Sequence, residues 1–187
     1  MNIQMSGAEV LGEYARHLKS LDQTDKYTRF GYYPTNENID SLILYLLYYP
    51  DSNFLFTAKE KGKPIGFVQL SRIQNDEWEL AVSVDKEHQN KGIAGDLMYC
   101  SIAWAKTHNI KHIFMHCIAE NRKIQHLARK YGLRVVERDG PDIKALVELP
   151  LPTALDYGAD WVNEQQSIIN DIIKLQNKLI KNIVPKM

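Results

Sequence analysis

Glu79 stands in the run Trp78-Glu79-Leu80-Ala81-Val82-Ser83-Val84. A few residues later the chain reads Gln89-Asn90-Lys91-Gly92-Ile93-Ala94-Gly95. The run predicts a strand over 77–84. Its period of two puts Glu79, Ala81 and Ser83 on one face and Leu80, Val82 and Val84 on the other. A carboxylate on the more polar face can move a proton, or simply sit solvated on a half-buried strand. The glycine segment lies between that strand and an amphipathic helix expected over 93–107. A turn that opens a helix leaves backbone N–H groups without partners. The helix dipole adds positive potential there, which suits a phosphate or pyrophosphate. Gly92 and Gly95 let a ligand approach without a Cβ in the way. The segment is neither a Gly-x-Gly-x-x-Gly nor a P-loop.

The elements that must position these residues can be read on both sides. Helices are expected over 8–21, 22–30 and from Asn36 or Asn38 to Pro50. A hairpin follows, with strands over 53–58 and 65–71 joined at Lys61-Gly62-Lys63-Pro64. Beyond the 93–107 helix come strand 111–118, helix 121–131 and strands 133–138 and 142–149. This alternation implies a mixed α/β fold, a central sheet flanked by helices. Pro150 and Pro152 mark a boundary between a domain over 1–150 and an appendage over 151–187. The appendage reads as a long helix over 157–183 with a wide apolar stripe that includes Trp161, Ile168, Ile172, Leu175 and Leu179. Such a stripe docks on its own domain or joins a second subunit as a homodimer.

Gln89, Gly92 and Ala94 resemble the Gln/Arg-x-x-Gly-x-Gly/Ala signature of the GNAT acetyltransferase superfamily. Residues 119–133 resemble that family's segment running from Asn through a short helix to Gly-Phe, with Asn121 at the Asn position and Gly132-Leu133 at the Gly-Phe position. The resemblance covers about residues 54–149. It implies a GNAT fold and acetyl-CoA as acyl donor, with its pyrophosphate on Gln89, Asn90, Lys91, Gly92, Ile93, Ala94 and Gly95. It also implies that the pantetheine arm pairs with the strand at Val82 and Val84, and that Asn121 borders the arm.

Acetyl transfer to an amine needs a neutral amine, a stabilised oxyanion and a thiolate that can leave. A lysine-like amine has a pKa near roughly 10.4, so at neutral pH it needs a base. The chain is similar to a GNAT branch that includes bacterial protein-lysine acetyltransferases, which carry a catalytic Glu on this strand. The resemblance implies that role for Glu79. Residues 25–30, Asp-Lys-Tyr-Thr-Arg-Phe, resemble a stretch upstream of that branch's core. Many family members carry a Tyr seven residues after the Asn to protonate the thiolate, but here that position is Ala128. The acceptor can be a small amine or a protein lysine. A non-catalytic acyl-CoA binder, or a module assembling through its last helix, is the alternative.

Other classes find little support. The 187 residues carry 23 Lys plus Arg and 23 Asp plus Glu, so the net charge is zero and favours neither nucleic acid nor an anionic membrane. Residues 1–18 hold no apolar h-region, so no signal peptide is expected, and the longest apolar stretch, residues 42–50, is too short to span a bilayer. Cys100 and Cys117 read as free thiols inside a helix and a strand, which fits a cytoplasmic location. His108, His112 and His116 recur every four residues. On a strand that spacing separates side chains by about 13 Å, so no metal site is expected. His88, beside the turn, reads as a loop residue.

Overall fold

The computed structural model describes residues 1–74, 76–140, 142–153 and 157. The helix expected over 157–183 lies outside the described residues, except for Tyr157. Seven strands form one mixed sheet: β1 (Asn2–Ser6), β2 (Asn53–Glu60), β3 (Lys63–Gln74), β4 (Glu77–Val84), β5 (His112–Ile118), β6 (Arg134–Asp139) and β7 (Asp142–Glu148). Their order is β1-β2-β3-β4-β5-β7-β6. Among the described residues only the β4–β5 pair is parallel. The sequence reading omits β1, which forms because Asn2 to Ser6 pair with Lys59 to Leu55 of β2. Five residues without a turn signal carry no local mark of that partnership.

Helices α1 (Leu11–Ser20), α2 (Gln23–Phe30) and α3 (Asn36–Tyr48) precede β2. Helices α4 (Ile93–Thr107) and α5 (Arg122–Lys130) flank β5. Side-chain caps start α2 and α3, and a glycine ends α2. The Asp22 carboxylate accepts from Asp25 N–H at 2.8 Å, and Gly31 ends α2 at φ +76°. The cap of α3 is Thr35, not the expected Asn36 or Asn38. Asn38 instead reaches back to the Thr35 N–H, completing a reciprocal capping box.

Two apolar layers sandwich the sheet. Val10, Tyr14, Leu18, Ile39 and Leu46 of the early helices pack on Leu55 and Phe67. Leu97, Met98, Ile102 and Trp104 of α4 pack on Val68, Leu70, Leu80 and Val84. Gly66 of β3 permits the second contact. A Cβ there would lie 3.1 Å from Val84 Cγ2 and 3.3 Å from Leu97 Cδ1. Leu97 is fully buried, so Leu97→Ala should cost about 2–5 kcal/mol. A drop in the urea midpoint at unchanged slope checks this. A natural domain holds only about 5–15 kcal/mol, so α4 is a structural pillar as well as the carrier of the glycine turn.

Candidate active site

β4 and β5 run side by side and then part. Their register covers only Glu77 to Glu79 against His112 to Phe114. Beyond Phe114, β5 stays paired with β7 as far as Ile118 and Asp142. β4 stays paired with β3 as far as Val84 and Gly66. The sheet is therefore split between Leu80–Val84 on one side and Met115–Ile118 on the other. Asp85 N–H donates to Ile65 C=O at 2.9 Å, which fixes the phase of the β3–β4 ladder. Antiparallel alternation then turns the backbone groups of residues 79, 81 and 83 toward β3, and those of 80, 82 and 84 toward the split. Val82 and Val84 thus aim their N–H groups into the gap.

The glycine turn stands at the end of β4. Gly92 begins α4 at φ +84° with no side-chain cap. The first helical bond runs from Asp96 N–H to Gly92 C=O, at 3.1 Å. The N–H groups of Ile93, Ala94 and Gly95 have no acceptor among the described residues. Gln89 is not free for a ligand through its side chain. Its Nε2 donates to Val84 C=O at 3.2 Å and to Asp25 Oδ2 at 3.1 Å, tying the turn to β4 and α2. Asn90, at φ +62°, accepts from Lys123 of α5 at 2.9 Å. Lys91 and Gly92 are exposed, and Ile93 is buried in the core.

Glu79 occupies the last paired position before the split. The expected faces hold: Leu80 and Val84 are buried against α4, and Glu79 and Ala81 line a cleft of about 210 Å³ on the opposite face. Arg29, Phe30, Tyr32 and Gln69 also line that cleft. His116 Nδ1 lies 3.6 Å from Glu79 Oε1, and the His116 side chain is largely exposed. In the sequence His116 stands out only through its four-residue spacing from His112, which points to no role beside Glu79. The three histidines take separate places: His108 stacks on Trp104 at the end of α4, at a ring distance of 3.9 Å, while His112 and His116 lie on β5.

Ser83, on the same face of β4, belongs to a hydrogen-bonded chain. His17 Nδ1 lies 2.7 Å from Asp85 Oδ1, and His17 Nε2 lies 2.8 Å from Ser83 Oγ. A carboxylate only accepts, so Nδ1–H donates to Asp85 and neutral Nε2 accepts from the Ser83 hydroxyl. Burial between α1, which carries it, and the sheet lowers the His17 pKa, against an opposing pull from Asp85. The unfolded chain titrates near about 6.5 and so binds a proton that the folded chain refuses. Stability linked to His17 is complete above that value and is lost as pH falls toward the lowered folded pKa. The thermal midpoint should therefore fall between about pH 7 and pH 5 more steeply in the native protein than in His17→Gln, as scanning calorimetry across that range would show.

Asn121 caps α5 by accepting from Ile124 N–H at 3.2 Å. Ala128 is buried, so no side chain there reaches the split. Tyr131 is held by the Gly95 carbonyl, to which its hydroxyl donates at 2.8 Å. Burial, with Asp96 nearby, raises its pKa. It therefore braces α5 against the glycine turn and keeps its proton. Cys117 is buried and Cys100 half-buried.

The site is thus a mixed α/β sheet parted at one point, with a donor-rich helix start beside the gap. The sequence matches the family model described as Acetyltransferase (GNAT) family over residues 16–133, and the chain belongs to that family. No curated protein matches it. Among solved structures, the GNAT domain of S. lividans PAT is similar at 17% identity and TM-score 0.65, covering 79% of this chain and 89% of that one. A spermidine N-acetyltransferase from Vibrio cholerae, in complex with CoA and spermine, is similar at 18% identity and TM-score 0.65, covering 79% and 95%. A ribosomal-protein-alanine N-acetyltransferase from Brucella melitensis is similar at 14% identity and TM-score 0.64, covering 80% and 100%. These likenesses are likenesses of fold.

Proposed function

We propose that this acetyltransferase transfers the acetyl group of acetyl-CoA to a primary amine by direct attack, with Glu79 as general base. The observation that carries the reading is the parting of β4 from β5 immediately beyond Glu79. An extended thioester arm laid in the gap meets the N–H groups of Val82 and Val84 as an added strand would. Its pyrophosphate lies against the start of α4, where Gly92 to Gly95 offer donors and the helix dipole. A thioester carbonyl beside β4 then finds a backbone N–H as its oxyanion develops. Asn121 and Lys91 border this path. The CoA held by the similar Vibrio cholerae enzyme supports the choice of donor.

The amine enters from the cleft on the other face of β4. Glu79 takes its proton, directly or through one water, and His116 at 3.6 Å offers that proton a path to solvent. The nitrogen attacks the carbonyl carbon and the C–S bond breaks. The thiolate leaves without a phenol at position 128. A thiol pKa of about 8.5 lets water, or the positively charged nitrogen of the collapsing intermediate as it becomes the amide, supply its proton. Thiol release from acetyl-CoA with a panel of amines tests the reading. Release that depends on an amine, with a matching acetylated product, is expected. Binding of coenzyme A without release on any amine would reduce the protein to an acyl-CoA binder.

A further inference from the structure

Arg29 of α2 lines the same cleft as Glu79, and among the described residues its charge has no counter-ion. Its Nη2 donates to Gln69 Oε1 at 3.0 Å and to Tyr14 Oη at 3.2 Å, both neutral acceptors. Its Nε is shielded from solvent without a hydrogen-bond partner. Among the described residues no carboxylate forms an ion pair with it. Asp25, one turn earlier on α2, accepts from Gln89 instead. The Phe30 ring packs under the guanidinium, 4.8 Å from its carbon. The side chain is thus fixed by Tyr14, Gln69 and Phe30, half-buried, and always charged. A charge withdrawn from water is costly unless paired, and a preset guanidinium is well shaped to take a carboxylate through two parallel hydrogen bonds.

Resting on the acetyltransferase reading, we propose that the acceptor is an amino acid: an amine that also carries a carboxylate, read by Arg29 while Glu79 receives the amine. The cleft's lining offers one carboxylate and one cation, so a zwitterion balances both. A polyamine would place its further positive charges against Arg29. The volume of about 210 Å³ suits a molecule of amino-acid size, and Phe30, Tyr32 and Leu42 give its side chain an apolar wall.

Calorimetric titration onto the full chain saturated with coenzyme A tests this without turnover. Three matched pairs serve as probes: phenylalanine and phenethylamine, 4-aminobutyrate and butylamine, lysine and cadaverine. In at least one pair the carboxylate-bearing member should bind about tenfold tighter or more, and Arg29→Gln should erase that ratio while the plain amine binds as before. Arg29→Lys, which keeps the charge and loses the fork, should keep only part of it. The ratio within a pair is insensitive to a general loosening of the Tyr14–Gln69 contacts. Equal or weaker binding of every carboxylate-bearing member, no binding of any probe, or a ratio unchanged in Arg29→Gln overturns the proposal. Thiol release measured on the same six probes with acetyl-CoA separates the two readings. Amino acids that bind by this criterion yet release no thiol would sink acetyl transfer and leave the role of Arg29 standing.

Discussion

Glu79→Gln lowers turnover by roughly 10²–10⁴ at neutral pH, the range of a single general base, and leaves coenzyme A affinity unchanged. The separation follows from geometry. On the proposed reading the cofactor meets backbone donors at 82, 84 and 92–95, while Glu79 lines the opposite cleft. Glutamine is nearly isosteric, and the residue is half-exposed at the end of a paired stretch, so the fold tolerates it. The defect shrinks as pH rises toward the amine's own pKa, because free amine then forms without help. Steady-state kinetics across pH, with coenzyme A titrated separately, read both quantities. Native turnover in the variant at neutral pH would assign the base elsewhere, and His116 is the group to test next. If His116 only carries the proton outward, His116→Gln should cost far less than Glu79→Gln, since solvent already reaches the carboxylate.

The local parts of this site are legible in the chain. Alternation alone sorts Glu79, Ala81 and Ser83 from Leu80, Val82 and Val84, because one side of β4 is covered by α4 and period two is strict. Gly92 at the start of α4 is legible because a glycine-containing turn directly before an apolar helical repeat marks a helix opening. What pairs with what is not. His116 stands beside Glu79 only because β5 runs parallel to β4 in a register that matches Glu79 with Phe114, and a parallel register leaves no mark on either strand. The split is likewise a property of two ladders that diverge, with β5 following β7. The His17–Asp85–Ser83 chain joins α1 to β4 across more than sixty residues of sequence. Arg29 and Gln69 meet in the same way. β1 is illegible for a related reason: it is a strand only because β2 offers an edge.

Gly92→Asp removes most of the protection that coenzyme A gives against heat. A ligand that binds only the folded chain stabilises it by about 2.7 kcal/mol at a hundredfold excess over its dissociation constant, which is several degrees in the midpoint for a domain of this size. Two effects oppose it in the variant. An aspartate at φ +84° is strained whatever space surrounds it, so the turn shifts. On the proposed reading its carboxylate also faces the pyrophosphate at a helix start built of N–H donors. Gly92→Ala carries the strain without the charge and separates the two. Alanine should lower the midpoint of the free protein by a similar amount while keeping most of the ligand's protection. In aspartate the apparent affinity should fall by about a hundredfold or more, enough to cancel the shift at the same coenzyme A concentration. Thermal scans of the three proteins with and without coenzyme A give the answer. Equal protection in all three would place the pyrophosphate away from residues 89–95 and leave the start of α4 as a turn that merely connects a strand to a helix.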